Sequence, residues 1–206
     1  MKYIVTNVQF NGLVNINLLK NILCFAKAHK VDGLLTFVQN GCNHAEDAID
    51  KRVLTSGFEV IESLKLNENL KLKDMKILAQ QINPMTGMTT KLSRDYSYIM
   101  PSAKIRYLSV ANTSKPPRSF MTTGNLTRPN YRLNTAQGRK ALEQHQYGFV
   151  LVEIKNGRKF STYQVEATKG GDFHYMGERY VKGKKVKVQP EALILGDVHL
   201  GDTSPF

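Results

Sequence analysis

The chain has 206 residues and a formal net charge of +12 at neutral pH, from 29 Lys and Arg against 17 Asp and Glu. Its length suits one or two domains with a real hydrophobic core, and it contains no apolar run of about 18 residues that could span a membrane. The two cysteines, Cys24 and Cys42, argue against a disulfide framework and for a reducing compartment. The first residues lack the pattern of a signal peptide, so we expect a cytoplasmic protein with no membrane partner.

The first third of the sequence predicts alternating strands and helices. Lys2 to Val8 is an apolar strand, and Asn15 is placed to cap a helix from Ile16 to His29 whose apolar residues recur on one face. Leu34 to Val38 predicts a second strand. This order is typical of βαβ units and a parallel sheet, so the predicted fold class is α/β. The further predicted elements are helices over 45–56 and 59–66 and an apolar run over 75–82.

From Tyr96 onwards the sequence changes to short strands and turns. Asn156-Gly157 stands between two candidate strands and is a hairpin signal. Residues 113–118 have the composition of a linker, or equally of a long loop within one domain. Residues 182–190 are the stronger boundary candidate, because a new apolar strand follows them. The candidate strands cover 98–100, 105–110, 148–154, 160–165 and 179–181.

The positive charge is concentrated in the middle of the chain. Residues 102–187 carry 17 Lys and Arg against 5 Asp and Glu, a surplus of 12 that equals the net charge of the whole chain. Such a surplus favours a polyanionic partner, because each neutralised phosphate releases counterions. The sequence therefore predicts DNA binding, with a merely solubilising surface as the alternative. The residues predicted to follow the DNA backbone are Arg118, Arg128, Arg132, Arg139 and Lys140, with Tyr131 and Tyr147 for base stacking.

An apolar strand followed by Gly-Asp-x-His stands near the end of the chain. Residues 192–195 are apolar, and Gly196 permits a sharp turn after them. Asp197 and His199, two positions apart, offer a carboxylate and an imidazole to one cation, a pair suited to Mn, Fe or Zn. A second Gly-Asp-x-His at 171–174 follows no apolar strand and is predicted to be a surface loop.

The late motif resembles the first motif of the calcineurin-like metallophosphoesterases, the superfamily of phosphatases and SbcD-type repair nucleases. The start of the chain resembles the same motif with its ligands lost, because Asn7 stands in the place of Asp197 and Gln9 in the place of His199. After the second strand, Asn40 stands where the family has a metal-bridging Asp. Side-chain amides are poor ligands for a transition metal beside the groups they replace.

The resemblance implies a tandem architecture. Residues 1–188 would form a degenerate, metal-free calcineurin-like sandwich of mixed sheets flanked by helices. Residues 189–206 would begin a catalytic metallophosphoesterase domain, truncated after its first motif. The turn over 122–129 and the strand over 147–154 resemble the closing turn and terminal strand of such folds. The arrangement is similar to the large pre-early nucleases of Tequintavirus-type coliphages, a family implicated in degrading host DNA inside the infected cell.

The resemblance also implies a chemistry. In the family two divalent cations, here Mn or alternatively Mg, clamp a phosphodiester and activate a water molecule. Asp197 and His199 would bind one cation, and the remaining ligands are missing, so these 206 residues alone are expected to be inactive. The N-terminal domain of such a metal-dependent DNase would hold DNA, or a sister subunit in a homo-oligomer. The alternative is a non-catalytic nucleic-acid-binding or host-interacting protein in which Gly-Asp-x-His is incidental.

Overall fold

The computed structural model describes residues 1–39, 48–78, 81–111 and 117–189, so Asn40, Asp197 and His199 lie outside the described residues. The described residues form helices and two mixed β-sheets, which confirms the α/β class. The helices are α1 (Ile16–His29), α2 (Lys51–Thr55), α3 (Met88–Lys91) and α4 (Ala136–Glu143). The strands are β1 (Lys2–Gln9), β2 (Gly33–Gln39), β3 (Phe58–Val60), β4 (Ser63–Lys65), β5 (Leu70–Lys73), β6 (Ser97–Met100), β7 (Tyr107–Val110), β8 (Arg118–Thr122), β9 (Tyr147–Ile154), β10 (Phe160–Ala167), β11 (Phe173–Tyr175), β12 (Glu178–Val181) and β13 (Lys184–Lys187).

The strands divide into an eight-stranded sheet, ordered β13-β12-β11-β10-β9-β1-β2-β3, and a five-stranded sheet, ordered β4-β5-β6-β8-β7. In the first sheet β1, β2 and β3 are parallel, and β9 to β13 continue from β1 as an antiparallel series. In the second sheet β5, β6 and β8 are parallel, and the edge strands β4 and β7 are antiparallel to their neighbours.

The predicted βαβ unit is confirmed. The Oδ1 atom of Asn15 accepts the N–H of Leu18 at 3.2 Å, which caps α1 where the sequence predicted. The helix is also bonded to the end of the eight-stranded sheet through the buried Asn21. Its Nδ2 donates to the carbonyl of Gly171 at 2.8 Å, and its Oδ1 accepts the N–H of Gly183 at 2.6 Å.

The buried apolar side chains form three clusters. They lie on different faces of the two sheets, because successive side chains along a strand point to opposite faces. Along β9, Phe149 and Leu151 face α1, where Phe25 packs against Phe149 at a ring distance of 5.5 Å. Val150 and Val152 face the opposite way and fill the interface between the two sheets. The outer face of the five-stranded sheet is covered by α3 and the residues around it. Helices therefore flank two sheets that pack face to face.

The prediction of a helix over 59–66 is wrong, because those residues lie in β3 and β4. Leu34 of β2 pairs with Phe58, and Leu72 of β5 pairs with Leu64. The first pairing joins distant parts of the chain and the second joins two consecutive strands in a hairpin, and both override the local helical preference. The helix predicted over 45–56 is found only as α2, with 45–47 outside the described residues. The described part of the apolar run 75–82 is irregular, and Met75 and Ile77 pack on the outer face of the five-stranded sheet.

In the second half of the chain, the predicted hairpin turn is confirmed. Asn156-Gly157 lies in the turn between β9 and β10, as predicted, where the N–H of Lys155 donates to the carbonyl of Lys159 at 2.9 Å. Of the predicted linker 113–118, residues 113–116 lie outside the described residues and Arg118 belongs to β8. The flanking strands β7 and β8 pair with each other in one sheet. The prediction that 171–174 is a surface loop is wrong for Phe173, which is 1% exposed and begins β11.

Candidate functional site

Side-chain amides occupy the carboxyl end of the parallel pair β1 and β2, the place where open α/β sheets bind ligands. Asn7 is fully buried, and its Nδ2 donates to Oε1 of Gln39 at 2.8 Å. Nε2 of Gln39 in turn donates to the carbonyl of Pro101 at 3.0 Å. Oε1 of Gln9 accepts the backbone N–H of Asn130 at 3.2 Å. We call Asn7, Gln9, Gln39, Asn125 and Asn130 the amide cluster.

The loop after β8 completes the amide cluster. Oδ1 of the buried Asn125 accepts both the N–H and the O–H of Thr127 at 2.7 Å, and Thr127 Oγ1 accepts the N–H of Gln9 at 3.0 Å. The loop reaches this position through Gly124, whose φ of +77° favours glycine and whose added Cβ would lie 3.0 Å from the backbone of Gly148. The turn predicted over 122–129 is therefore bonded to the end of β1.

The amide cluster does not fit a transition-metal centre. The hydrogen bonds above join neutral groups, whereas a divalent cation needs anions or imidazoles to replace its water. In the described ranges, no group of three or more His, Cys, Asp and Glu side chains could hold a metal ion. Two buried atoms of the cluster, Oδ1 of Asn7 and Nδ2 of Asn125, have no hydrogen-bond partner among the described residues.

His145 is a titratable residue that bonds to this loop. Its Nε2 lies 3.1 Å from the carbonyl of Thr127 and its Nδ1 2.9 Å from the hydroxyl of Tyr131. A carbonyl accepts only, so the neutral ring donates through Nε2 and accepts at Nδ1. Burial lowers the pKa of His145 to about 4, against a smaller opposing effect of the Thr127 carbonyl. Tyr147 packs on this ring and is 8% exposed, which corrects the prediction that it is available to a base.

The basic residues predicted to contact DNA lie on two surfaces. Arg128, Arg132, Arg139 and Lys140 are exposed on the loop after β8 and around α4. The guanidinium of Arg139 donates to the carbonyl of Leu133 at 3.0 Å. Arg118 begins β8, so it stands at the other end of that strand, roughly 13 Å from Thr122. The structure therefore does not bring the five predicted residues together.

A buried lysine lies beneath the positive surface that includes Lys140. Lys104 is 3% exposed, and its Nζ donates to the carbonyl of Gln81. Burial, together with the smaller effect of the positive charges of Arg106 and Lys140, lowers the pKa of Lys104 to about 8. These cations are therefore close enough to repel one another.

Arg118 lies in an open groove of about 500 Å³ with three cations that the sequence reasoning missed. Lys155, Arg158 and Lys159 reach it from the β9–β10 turn. Their signal was the sequence Lys-Asn-Gly-Arg-Lys, a hairpin turn that carries three positive charges. We call the groove lined by Tyr107, Arg118, Lys155, Arg158, Lys159 and Phe160 the basic groove.

No protein-family model, curated protein or solved structure matches this chain. In the part of the chain that the structure describes, no helix has the length and apolar character needed to cross a membrane. The amide cluster and the basic groove are the candidate sites in the described residues.

Proposed function

We propose that residues 1–188 form a degenerate, non-catalytic phosphoesterase-like domain that binds DNA. The observation that carries this proposal is the amide cluster at the carboxyl end of β1 and β2. There Asn7 and Gln9 bond to Gln39 and to the loop after β8. Neutral groups bonded to one another keep the shape of the sheet edge without a cation, although Oδ1 of Asn7 and Nδ2 of Asn125 have no partner among the described residues. Such a domain keeps its fold after losing its chemistry and serves as a binding surface.

Two features of the fold support the calcineurin-like assignment. The chain begins with a parallel βαβ unit, and two mixed sheets pack face to face with helices outside them. This layering is what the resemblance of the sequence motifs implies. In the wider proposal the domain is the N-terminal part of a metal-dependent DNase that degrades host DNA. Asp197 and His199 would supply the first ligands for Mn or Mg in its catalytic domain.

Restoring the lost ligands tests the assignment. The double variant Asn7→Asp, Gln9→His places a carboxylate and an imidazole at the early site. Without metal we expect it to be less stable than the wild type, because Asn7 is fully buried and an anion there is unpaired. With Mn²⁺ at a hundredfold excess over its Kd, it should regain about 2–3 kcal/mol in thermal unfolding.

The matched control is Asn7→Asp, Gln9→Ala, which keeps the anion and lacks the imidazole. It should regain less stability than the double variant at the same Mn²⁺ concentration. If Mn²⁺ changes the unfolding of none of these proteins, the end of β1 is not a former metal centre, and the phosphoesterase assignment is lost.

Salt dependence tests the DNA-binding part of the proposal. Retention of the protein on DNA should fall as salt rises, because bound phosphates release counterions. Replacing Arg128 and Arg132 by Ala should lower the slope of log K against log salt by about 2 if each contacts one phosphate. Retention that ignores both salt and these substitutions would leave the positive surplus as a solubilising surface.

A second candidate is a non-catalytic nucleic-acid-binding or host-interacting protein in which the motif at Asp197 is incidental. It is favoured by the other Gly-Asp-x-His, in which Gly171 and Asp172 take part in contacts within the fold. The carboxylate of Asp172 accepts a hydrogen bond from Arg179 at 3.0 Å. Gly171, at φ +90°, lies so close to α1 that an added Cβ would be 2.4 Å from the backbone nitrogen of Leu18.

Metal binding by single variants separates the two candidates. If Asp197 is a ligand, Asp197→Ala should abolish the weak Mn²⁺ binding of the wild-type chain in a calorimetric or paramagnetic titration. Asp172→Ala, the matched change in the structural copy of the motif, should leave that binding unchanged. Equal binding by the wild type and both variants favours the second candidate.

A further inference from the structure

The basic groove joins two parts of the chain that are distant in sequence. One wall is the β9–β10 turn with Lys155, Arg158 and Lys159, and the other is the amino end of β8 with Arg118. Among the described residues that line it there is no Asp or Glu. The nearest acidic partner is Glu68, which accepts a hydrogen bond from Arg158 at 2.7 Å in an exposed ion pair. The groove therefore presents a positive surface to solvent.

Arg118 of this groove has a nitrogen atom without a hydrogen-bond partner. Its Nε is buried and has no hydrogen-bond partner among the described residues. A buried donor without a partner is costly, and a guanidinium is suited to binding the oxygens of a phosphate. Arg118 is half-buried, so an anionic oxygen in the groove would bind its guanidinium and would reach Nε only after the side chain turns toward the groove.

An exposed aromatic ring stands beside the cations. Tyr107 lies on the edge strand β7 and is 59% exposed, although its ring is large and apolar. Grooves that combine cations for the backbone with aromatic rings for the bases are typical of proteins that bind single strands. In a duplex the faces of the bases are already stacked, so the ring would have no partner there.

We infer that the basic groove binds a single-stranded nucleic acid. Its phosphates lie on Arg118 and the cations of the β9–β10 turn, and one base stacks on Tyr107. This inference rests on the proposed nucleic-acid-binding function, and it adds a location and a preference for single strands.

The surface around α4 lacks this combination. There the guanidinium of Arg139 already donates to the carbonyl of Leu133, and the ring of Tyr147 is buried. The hydroxyl of Tyr131 is bonded to His145. Cations on that surface can attract phosphates, but the neighbouring aromatic rings are engaged in the protein.

Fluorescence anisotropy with labelled oligonucleotides tests the inference. The probes are an oligo-deoxythymidine, an oligo-uridine and a DNA duplex of the same length. We expect the wild type to bind the single strands more tightly than the duplex. The triple variant Lys155→Ala, Arg158→Ala, Lys159→Ala should bind each probe at least about tenfold more weakly at low salt. Tighter binding of the deoxythymidine or the uridine probe identifies the natural ligand as DNA or RNA.

Two control variants test whether binding occurs in the basic groove and whether it prefers single strands. Lys169→Ala, Lys184→Ala, Lys187→Ala removes three charges from exposed positions outside the groove, and it should bind within about twofold of the wild type. Tyr107→Leu should lose about tenfold in binding single strands and little in binding the duplex. All variants change solvent-facing side chains, and unchanged circular dichroism checks that they are folded.

Three outcomes of these experiments would each contradict a different claim. If the wild type binds nucleic acid but the groove variant binds equally well, the inference is overturned and the proposed function stands on another surface. If Tyr107→Leu weakens single-strand and duplex binding alike, the preference for single strands is overturned. If the wild type binds none of the probes, the proposed function fails and the groove assignment fails with it.

Discussion

The amide cluster and the basic groove lie beyond opposite ends of β8, and they use polar groups in opposite ways. In the amide cluster, Asn7 and Asn125 are fully buried and bond to neighbouring protein groups. In the basic groove, Lys155 and Lys159 are exposed to solvent and carry positive charge. Neutral groups bonded internally stabilise a fold, whereas exposed cations attract an external anion. The comparison separates the residues that should affect stability from those that should affect binding.

The largest effect on stability is expected for Asn125→Ala. This change leaves the N–H and the O–H of Thr127 without their acceptor inside the protein. A loss of about 3 kcal/mol is expected in denaturant unfolding, because each orphaned buried donor costs about 1–3 kcal/mol. The exposed Asn17→Ala should stay within about 0.5 kcal/mol of the wild type. A loss below about 1 kcal/mol for Asn125→Ala would mean that the loop after β8 is held by other contacts.

Acid should weaken the same region through His145. Its pKa is about 4 in the folded protein and near 6.5 in the unfolded chain, so between these values the unfolded chain binds more protons. The neutral ring of His145 contributes about 3 kcal/mol to the free energy of unfolding. This contribution is complete above pH 6.5 and is lost as the pH falls through about 4. Unfolding curves measured from pH 7 to pH 4 check this, and His145→Gln should flatten the profile. A wild-type profile that is flat over this range would contradict the buried neutral ring.

A smaller loss of stability is expected for Asp50→Ala. Asp50 is charged, but its carboxylate bonds to groups within the protein. Its carboxylate caps α2 through the N–H of Arg52 at 3.0 Å and accepts the N–H of Val14 at 2.9 Å. We expect a loss of about 1–2 kcal/mol at neutral pH. The hydrogen bond from the Arg52 side chain lowers the pKa of Asp50 to about 2, so this stabilisation is lost as the pH falls from 3.8 through about 2. Thermal unfolding of both proteins at neutral pH measures the effect, and an unchanged midpoint would contradict it.

The smallest effect is expected for Glu68→Gln beside the basic groove. The pair of Glu68 with Arg158 is exposed on both sides, so its removal should leave the unfolding midpoint unchanged. It also removes a negative charge next to the groove, and oligo-deoxythymidine should then bind up to about threefold more tightly at low salt. Weaker binding by this variant would place the nucleic acid on another surface.

The sequence predicted the start of the fold well because its signals there are local. Asn15 caps α1, and the apolar residues of the helix recur within a few turns. The strand β4 pairs with the next strand, β5, so its signal was the intervening turn with Asn67 and Asn69. The strand β3 was missed because its partner is distant in the chain, with Leu34 opposite Phe58. Propensity within a short window does not contain that information.

The candidate sites were predicted only in part, again because residues distant in the chain form them. The family resemblance drew attention to Asn7 and Gln9, but their partners Gln39 and Asn130 are 32 and 121 residues away. The charge surplus indicated a polyanion and included Arg118. It could not show that the β9–β10 turn, rather than α4, lies beside that residue, because a surplus summed over a segment has no direction in space.

The buried Asn21 has a consequence for the order of folding. Its two hydrogen bonds join α1 to residues that come 150 and 162 positions later in the chain. During synthesis α1 leaves the ribosome long before those residues exist, so its apolar face, with Ile22 and Phe25, has no completed sheet to cover it. Contacts of such long range make folding slow and leave early intermediates exposed. A chaperone that shields the nascent helix until the last hairpin emerges should therefore raise the yield of native protein.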